Sequence, residues 1–279
     1  MTTTNSVPSS NLVQHQIKLE QTYSKNQLVP RIRSEFENCK EVNFAEHMVE
    51  NGIPVPFGMD VLTQMAIHKR ANLETMMGVM YRHFKDAQLT ADMLVKCAEA
   101  DLITYSTVRK EFIVIFTISE DVQADLDRFQ FPLPLVIPPK ELTDNKSNGY
   151  YVGKGSVILR QNHHDNDVCL DHLNRMNKVR FTINQDVSRM VKNRWKSLDR
   201  MKQGDTRQKF EQRKRAFEKY DRTAKDVMAF VMEESDVIHL THNYDKRGRT
   251  YCIGYHVNYQ GTEWNKAVIE LADKETIDG

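Results

Sequence analysis

The chain has 279 residues, 40% hydrophobic and 28% charged, with a formal net charge of +1. That length accommodates one large domain or two small ones, and the absence of an apolar run of about 20 residues excludes a helical membrane span. The near-neutral total hides a strong asymmetry: residues 174–222 carry 16 Lys and Arg against six Asp and Glu, a net of +10, between acidic flanks. Such a block points to a polyanionic partner.

Residues 1–12 are Ser/Thr/Asn-rich and carry no Lys or Arg. They lack the features of a signal or transit peptide and read as a disordered tail. Cys39, Cys97, Cys169 and Cys252 are scattered without CxxC spacing, which suits free thiols better than disulfides or a zinc site. Residues 13–50 read as helical, with Leu12, Gln16, Leu19 and Tyr23 at helix spacing and no breaker before Pro30. The Asn51–Pro56 stretch ends that run. Residues 59–86, with Leu62, Met65, Ala66, Met76, Met80 and Phe84 at i, i+3, i+4 spacing, predict one long buried helix. Thr90-Ala91-Asp92-Met93 predicts a capped helix ending near Leu102, Glu111 to Ser119 a strand, and Asp121 to Phe129 a short helix.

Four prolines between Pro132 and Pro139 enforce an extended segment, followed by a turn and short strand at Asn148–Gly153. A domain boundary is expected in the loop around Gln161 to Asp167. Beyond it, Leu173, Met176, Val179, Ile183, Val187, Met190, Leu198 and Met201 predict a helix over 171–202. Phe210, Phe217, Tyr220, Ala224, Val227 and Val231 predict a second over 206–234, and the short break at Gly204 makes the two an antiparallel hairpin. Val237–Thr241 and Thr250–Val257 predict two strands, and Glu263–Asp273 a final helix. The fold class is therefore α+β, mainly helical: a tail over 1–12, a helical domain with a Pro-rich connector over 13–165, the hairpin over 166–235, and a small α/β unit over 236–279.

Three segments are candidate sites. Two basic helices about 30 residues long would project roughly 45 Å, enough to lie across a duplex; alternatively they form a solvated pair laced by i, i+4 ion pairs. The His163-His164-Asp165-Asn166-Asp167 run with Cys169 and His172 holds metal-binding residue types but matches no established ligand spacing. Asp245-Lys246-Arg247-Gly248-Arg249 suits a tight turn that offers guanidinium groups to phosphate, or a charged surface hairpin. Lys266, on the helix beyond a Gln260-Gly261 turn, could add a third cation beside Arg247 and Arg249. Trp195, Trp264 and Tyr244 could stack on bases or serve packing.

The Asp245–Tyr251 run, followed by Gln260-Gly261-Thr262-Glu263 and Lys266–Ala272, resembles the start of the palm in the single-subunit, DNA-dependent RNA polymerases of phages and mitochondria. Two upstream segments are similar to that family in the same order. Leu135-Val136-Ile137-Pro138-Pro139-Lys140, with Gly149-Tyr150, resembles its Pro-Pro-Lys segment and glycine-tyrosine turn. Leu173–Asn184 resembles its aromatic-x-Ile-Asn helix, with Phe181 where Trp is usual. The resemblance covers about residues 130–275. It implies a right-hand polymerase: the hairpin would be the thumb, embracing the RNA–DNA hybrid, and residue 236 onward would open the palm. Asp245, Arg247, Gly248 and Arg249 would contact template and hybrid, with Gln260, Gly261, Lys266, Arg180, Asn184, Lys192 and Arg194 in the same nucleic-acid-binding set.

The family's two metal-binding aspartates and fingers helix would follow these motifs, so no catalytic or metal-binding residue is expected in this chain. The combination is similar to the smaller subunit of the split, heterodimeric RNA polymerases of phages that also carry a virion polymerase. That likeness implies a nucleotidyltransferase active in phage transcription in the host bacterial cytoplasm. A larger catalytic subunit would hold Mg²⁺, and the half-palm would leave an apolar surface or sheet edge for it. A single-stranded-DNA-binding factor is a further expected partner; no membrane is. The alternatives are a nucleic-acid-binding accessory protein with a polymerase-derived fold and no role in catalysis, and a fragment of one longer polymerase.

Overall fold

The computed structural model describes residues 8–153 and 155–274. The fold is α+β and mainly helical, with short strands. The chain divides into two compact units: residues 25–127, and the residues up to 24 together with those from 128 onward. The first helix, α1 (Ser10–Thr22), belongs to the second unit, so the tail read over 1–12 is corrected where Ser10, Asn11 and Leu12 open this helix. Residues 1–7 lie outside those described.

The 25–127 unit is built on α4 (Val55–His68), buried along nearly its whole length and packed against α2 (Lys25–Glu37) and α3 (Phe44–Glu50). Pro54 precedes α4 and Pro56 lies in its first turn, where a missing N–H costs no helical bond. Gly58 permits the approach of α3: a Cβ there would lie 2.5 Å from Met48 Sδ. One charged side chain sits in this apolar helix. Asp60, only 7% exposed, accepts from Arg33 Nη1 at 2.8 Å and Arg82 Nη2 at 2.6 Å, and His83 Nε2 lies 2.7 Å away. The unit is completed by β1 (Arg70–Asn72), α5 (Leu73–Met80), α6 (Ala87–Glu99), β2 (Ile103–Ser106), β3 (Glu111–Val114) and α7 (Glu120–Phe129), the strands forming an antiparallel sheet of order β1-β3-β2.

The other unit contains α8 (Leu170–Asn177), β4 (Phe181–Ile183), α9 (Gln185–Met190), α10 (Arg207–Glu234), β5 (His242–Tyr244), β6 (Thr250–Cys252), α11 (Glu263–Val268) and β7 (Ile269–Leu271). Its centre is a ribbon of four extended segments. Leu135 exchanges backbone bonds with His239, Ile238 exchanges them with Phe181, and β4 pairs antiparallel with β7. Tyr220, Ala224, Val227 and Val231 of α10 recur at helical spacing and share a core with Phe181, Ile238, Leu240, Trp264 and Val268. The earlier turns of α10 are largely exposed; at 28 residues the helix is about 42 Å long.

Several sequence expectations are corrected. The helical stretch expected over 13–50 is interrupted at Tyr23-Ser24 and again over 38–43, while Pro30 lies inside α2 without breaking it; the Tyr23 ring, 4.7 Å from both Phe129 and Phe230, ends α1 by tertiary packing. The 59–86 helix is two helices around β1. Lys69 takes a positive φ of 61° and its carbonyl accepts from Val114 N, drawing the chain into the sheet. The helix start read at Thr90 lies at Asp86, whose Oδ1 accepts from Leu89 N at 2.8 Å. The expected antiparallel helical hairpin does not form: α10 stands alone, and 171–202 is α8, β4, α9 and a 3₁₀ turn at Lys196–Leu198. The β-branched Thr182-Ile183 pair with Ile269–Leu271, and that pairing also ends the 263–273 helix at Val268. The strand expected at 237–241 is extended at Ile238 and His239, which bridge to Phe181 and Leu135, and the pairing with β6 begins only at His242. The strand expected within Asn148–Gly153 is absent; Gly149 instead sits where a Cβ would lie 2.6 Å from Thr241 Cγ2 and 2.8 Å from Pro139 Cβ. The boundary expected around Gln161–Asp167 is not where the chain divides, because Leu142 and Val157 share a core with Leu173 and Tyr244.

Candidate nucleic-acid interface

The β5–β6 hairpin carries the Asp245 turn. Asp245 Oδ1 accepts from the backbone N–H groups of Arg247 (2.8 Å) and Arg249 (3.0 Å). Its Oδ2 accepts from Arg249 Nε at 2.6 Å and from the Tyr251 hydroxyl at 3.1 Å, with Arg249 Nη2 at 2.5 Å. Gly248, at φ +78°, supplies the left-handed residue that closes the turn. Burial alone would raise the Asp245 carboxyl, but the hydrogen bonds from Arg249 and Arg247 overcome it and hold the group well below the usual carboxylate range. The turn is fixed from outside by Asn162, which the sequence does not mark, and by His164, which the sequence singles out only for its metal-binding type: Asn162 Oδ1 accepts from Lys246 N at 2.8 Å, and His164 Nε2 lies 3.0 Å from Asp245 O.

The predicted residues thus separate by role. Asp245 and Gly248 build the turn. Arg249 is aimed by Asp245 and lies over the Tyr251 ring at 5.6 Å, yet its side chain remains 58% exposed. Lys246 and Arg247 are exposed and make no side-chain hydrogen bond or ion pair among the described residues, which marks Lys246 as a candidate that the motif reading passed over. Gln260 is structural: its Oε1 accepts from Cys252 N at 2.8 Å and its Nε2 donates to Thr250 O at 3.1 Å. Gly261 allows close approach of Asn265, whose Nδ2 would lie 2.7 Å from an added Cβ.

Arg180 pairs with Asp273 at 2.7 Å, and Asn184 caps α9 through Val187 N while donating to Glu270 at 2.7 Å. Both are tied to the ribbon. Lys192, Arg194 and Lys266 are exposed without a side-chain partner among the described residues, as are Arg200, Lys202, Arg207, Lys209, Lys214, Arg215 and Arg222. Four other cations of the basic segment are neutralised: Arg180, Arg189, Lys196 and Arg213 pair with Asp273, Asp186, Glu263 and Asp205. The remaining positive surface lies chiefly on α10 and the segment before it. Of the aromatics, Trp264 is buried and donates to Ser188 O at 3.4 Å, Tyr244 is buried, and Trp195 packs on Phe217 and Tyr220.

The carboxylates beside the turn do not fit Mg²⁺. Both oxygens of Asp245 are occupied, Glu263 pairs with Lys196, and Glu270 accepts from Asn184. In the His163–His172 loop, His163 pairs with Asp165 at 3.1 Å and His164 faces Asp245 O; no metal-holding group of three His, Cys, Asp or Glu occurs among the described residues. No helix among them is long and apolar enough to cross a membrane. Asp245→Ala is expected to leave the fold intact but to raise amide exchange at Arg247 and Arg249 at least tenfold, a change that hydrogen-exchange mass spectrometry of the turn would report. Neither a protein-family model nor a curated protein sequence matches the chain.

Proposed function

We propose that this chain is the template- and hybrid-binding subunit of a two-chain, DNA-dependent RNA polymerase. The carboxylates that hold Mg²⁺ lie on a larger partner chain. The observation that carries the reading is the convergence of the three motifs on which the family resemblance rests. Leu135 of the Pro-Pro-Lys segment, Phe181–Ile183 of the aromatic-x-Ile-Asn segment and the Ile269–Leu271 strand all belong to one hydrogen-bonded ribbon. Gly149 of the glycine-tyrosine turn packs on Pro139 and on Thr241, next to the strand that leads into the Asp245 turn. Segments whose order alone suggests a palm and its approach are thus bonded neighbours.

The chemistry of the turn agrees with hybrid contact. Asp245 consumes its charge internally and fixes Arg249, while Lys246 and Arg247 are left for phosphates. The thumb role falls to α10 and its basic approach segment in place of a hairpin. The open edge of β7, which carries no further strand among the described residues, and the 57% exposed Leu271 fit a contact with the catalytic chain.

The test is extension of a primed RNA–DNA scaffold. The chain alone is expected to give none, and addition of the larger chain to restore it; extension by the chain alone overturns the proposal. In the reconstituted pair, Arg247→Ala is the cleaner probe, because Arg249→Ala also disturbs the turn. It should lower hybrid affinity and reduce the dependence of log affinity on log salt by about one for the lost phosphate contact. Unchanged affinity and slope would remove the turn from the interface.

A further inference from the structure

A row of aromatic rings crosses the unit outside every motif used above. Phe131 stacks on Tyr255 with ring centroids 4.4 Å apart and planes at 28°. Tyr255 meets Tyr220 edge-on at 5.3 Å, Tyr220 lies 5.6 Å from Trp195, and Trp195 meets Phe217 at 5.4 Å. The row draws on four separate chain segments, so it is not a by-product of one helix. Only Tyr220 is buried; Tyr255 is 43% and Phe131 36% exposed, and Trp195 and Phe217 are half-buried. Trp195 and Phe217 pack on the rim of the core, whereas Phe131 and Tyr255 offer ring area outside it.

Cations border the row. Trp195 follows exposed Arg194 and precedes the 3₁₀ turn Lys196–Leu198, where the single segment 196–203 forms a half-open groove of about 530 Å³ lined by Lys196, Ser197, Arg200, Met201, Lys202 and Gln203. Arg200 and Lys202 make no side-chain ion pair among the described residues. On α10, exposed Lys214 lies one turn before Phe217 on the same helix face. Accessible ring faces flanked by unneutralised cations suit a polymer with unpaired bases and a phosphate backbone. A duplex hides its base faces and could use only the charges.

We infer that Phe131, Tyr255 and Trp195, with the basic groove beyond Trp195, form a track for single-stranded nucleic acid. The inference rests on the nucleic-acid reading of the chain; it names a different ligand and, in its rings, different residues from the hybrid contact, while its cations are those of the thumb segment. One base stacks on the exposed Phe131–Tyr255 pair, and phosphates pass by Lys214 and Arg194 toward Arg200 and Lys202.

The experiment is equilibrium binding of labelled oligothymidylate, oligouridylate and a blunt RNA–DNA hybrid to the full chain. Phe131→Ala and Tyr255→Ala are each expected to weaken single-strand binding about tenfold, with hybrid binding unchanged within about twofold and Tyr255→Phe behaving as wild type. Equal losses on single strand and hybrid, or no loss on the single strand, overturn the track. Wild-type binding of hybrid but not of either single strand overturns it too and leaves the polymerase reading standing. Binding of single strands but not of hybrid supports the track and removes the hybrid role. Should the alanine variants fail to fold, Arg200→Gln with Lys202→Gln, on the open surface, must lower the salt slope of oligothymidylate binding by about two; an unaltered slope rejects the track.

Discussion

Asp60→Ala is expected to lower the stability of the chain by about 3 kcal/mol. The carboxylate lies within the most buried helix of its unit, and it is the shared acceptor for Arg33, Arg82 and His83. Its removal strands Arg33 of α2 and both Arg82 and His83 of the turn that follows α5. Arg33 keeps its second partner Glu37, and Arg82 is 62% exposed and can rehydrate, so the loss belongs at the lower end of what a broken buried pair costs. Asp60→Asn preserves shape and one acceptor and should cost about half as much. Urea denaturation of the full chain at neutral pH measures both. A loss below about 0.5 kcal/mol for the alanine variant would mean that the cluster is dispensable.

The second large effect is acid sensitivity centred on His242. This imidazole is buried between Asn177 Oδ1 and the Tyr259 hydroxyl, each 2.8 Å away. Burial, aided by nearby His172, pushes it down from 6.5 to about 4. Between those values the unfolded chain binds a proton that the folded chain refuses, so stability falls as pH falls. The slope approaches about 1.4 kcal/mol per pH unit and the loss about 3 kcal/mol by pH 4. Above about 6.5 the group is neutral in both states and contributes no slope. His239, lowered by burial and by Arg180, acts in the same direction. Stability measured by urea denaturation across pH 4–7 should therefore fall steeply for the wild type and much less for His242→Gln. Equal slopes would place the acid sensitivity elsewhere.

The long-periodicity elements were legible: α7 and α10 lie close to where the apolar spacing puts them, and α10 begins at a Thr206 cap. What escaped were three-residue strands. Phe181-Thr182-Ile183 continues the apolar spacing of the helix before it, and only the distant backbones of Ile238 and Ile269–Leu271 make it extended. No local pattern can reveal that choice, and the hairpin expectation failed with it. The turn was easier, because Asp245, Gly248 and Arg249 interact within five residues. Its outer supports, Asn162 and His164, approach from more than 80 residues away; Asn162 carries no signal of its own, and the His164 signal points to metal and not to the turn. Arg180 and Arg247 look alike as basic residues in a sequence; only the position of Asp273 separates the neutralised one from the available one.

The interrupted build of the second unit also sets a timetable for its synthesis. Gln16 of α1 accepts from Val136 N across 120 residues, and Glu20 accepts from Val152 N across 132. The 25–127 segment therefore leaves the ribosome complete while α1 has nothing to pack on. The ribbon closes later still, when Ile269–Leu271 reaches Phe181–Ile183. Contacts of such sequence separation make for slow closure. Until their partners emerge, Tyr23 and the apolar face of α1 stay uncovered, so a pulse-labelled nascent chain should gain protease resistance in 25–127 first and in α1 only once residues through Phe230 have emerged.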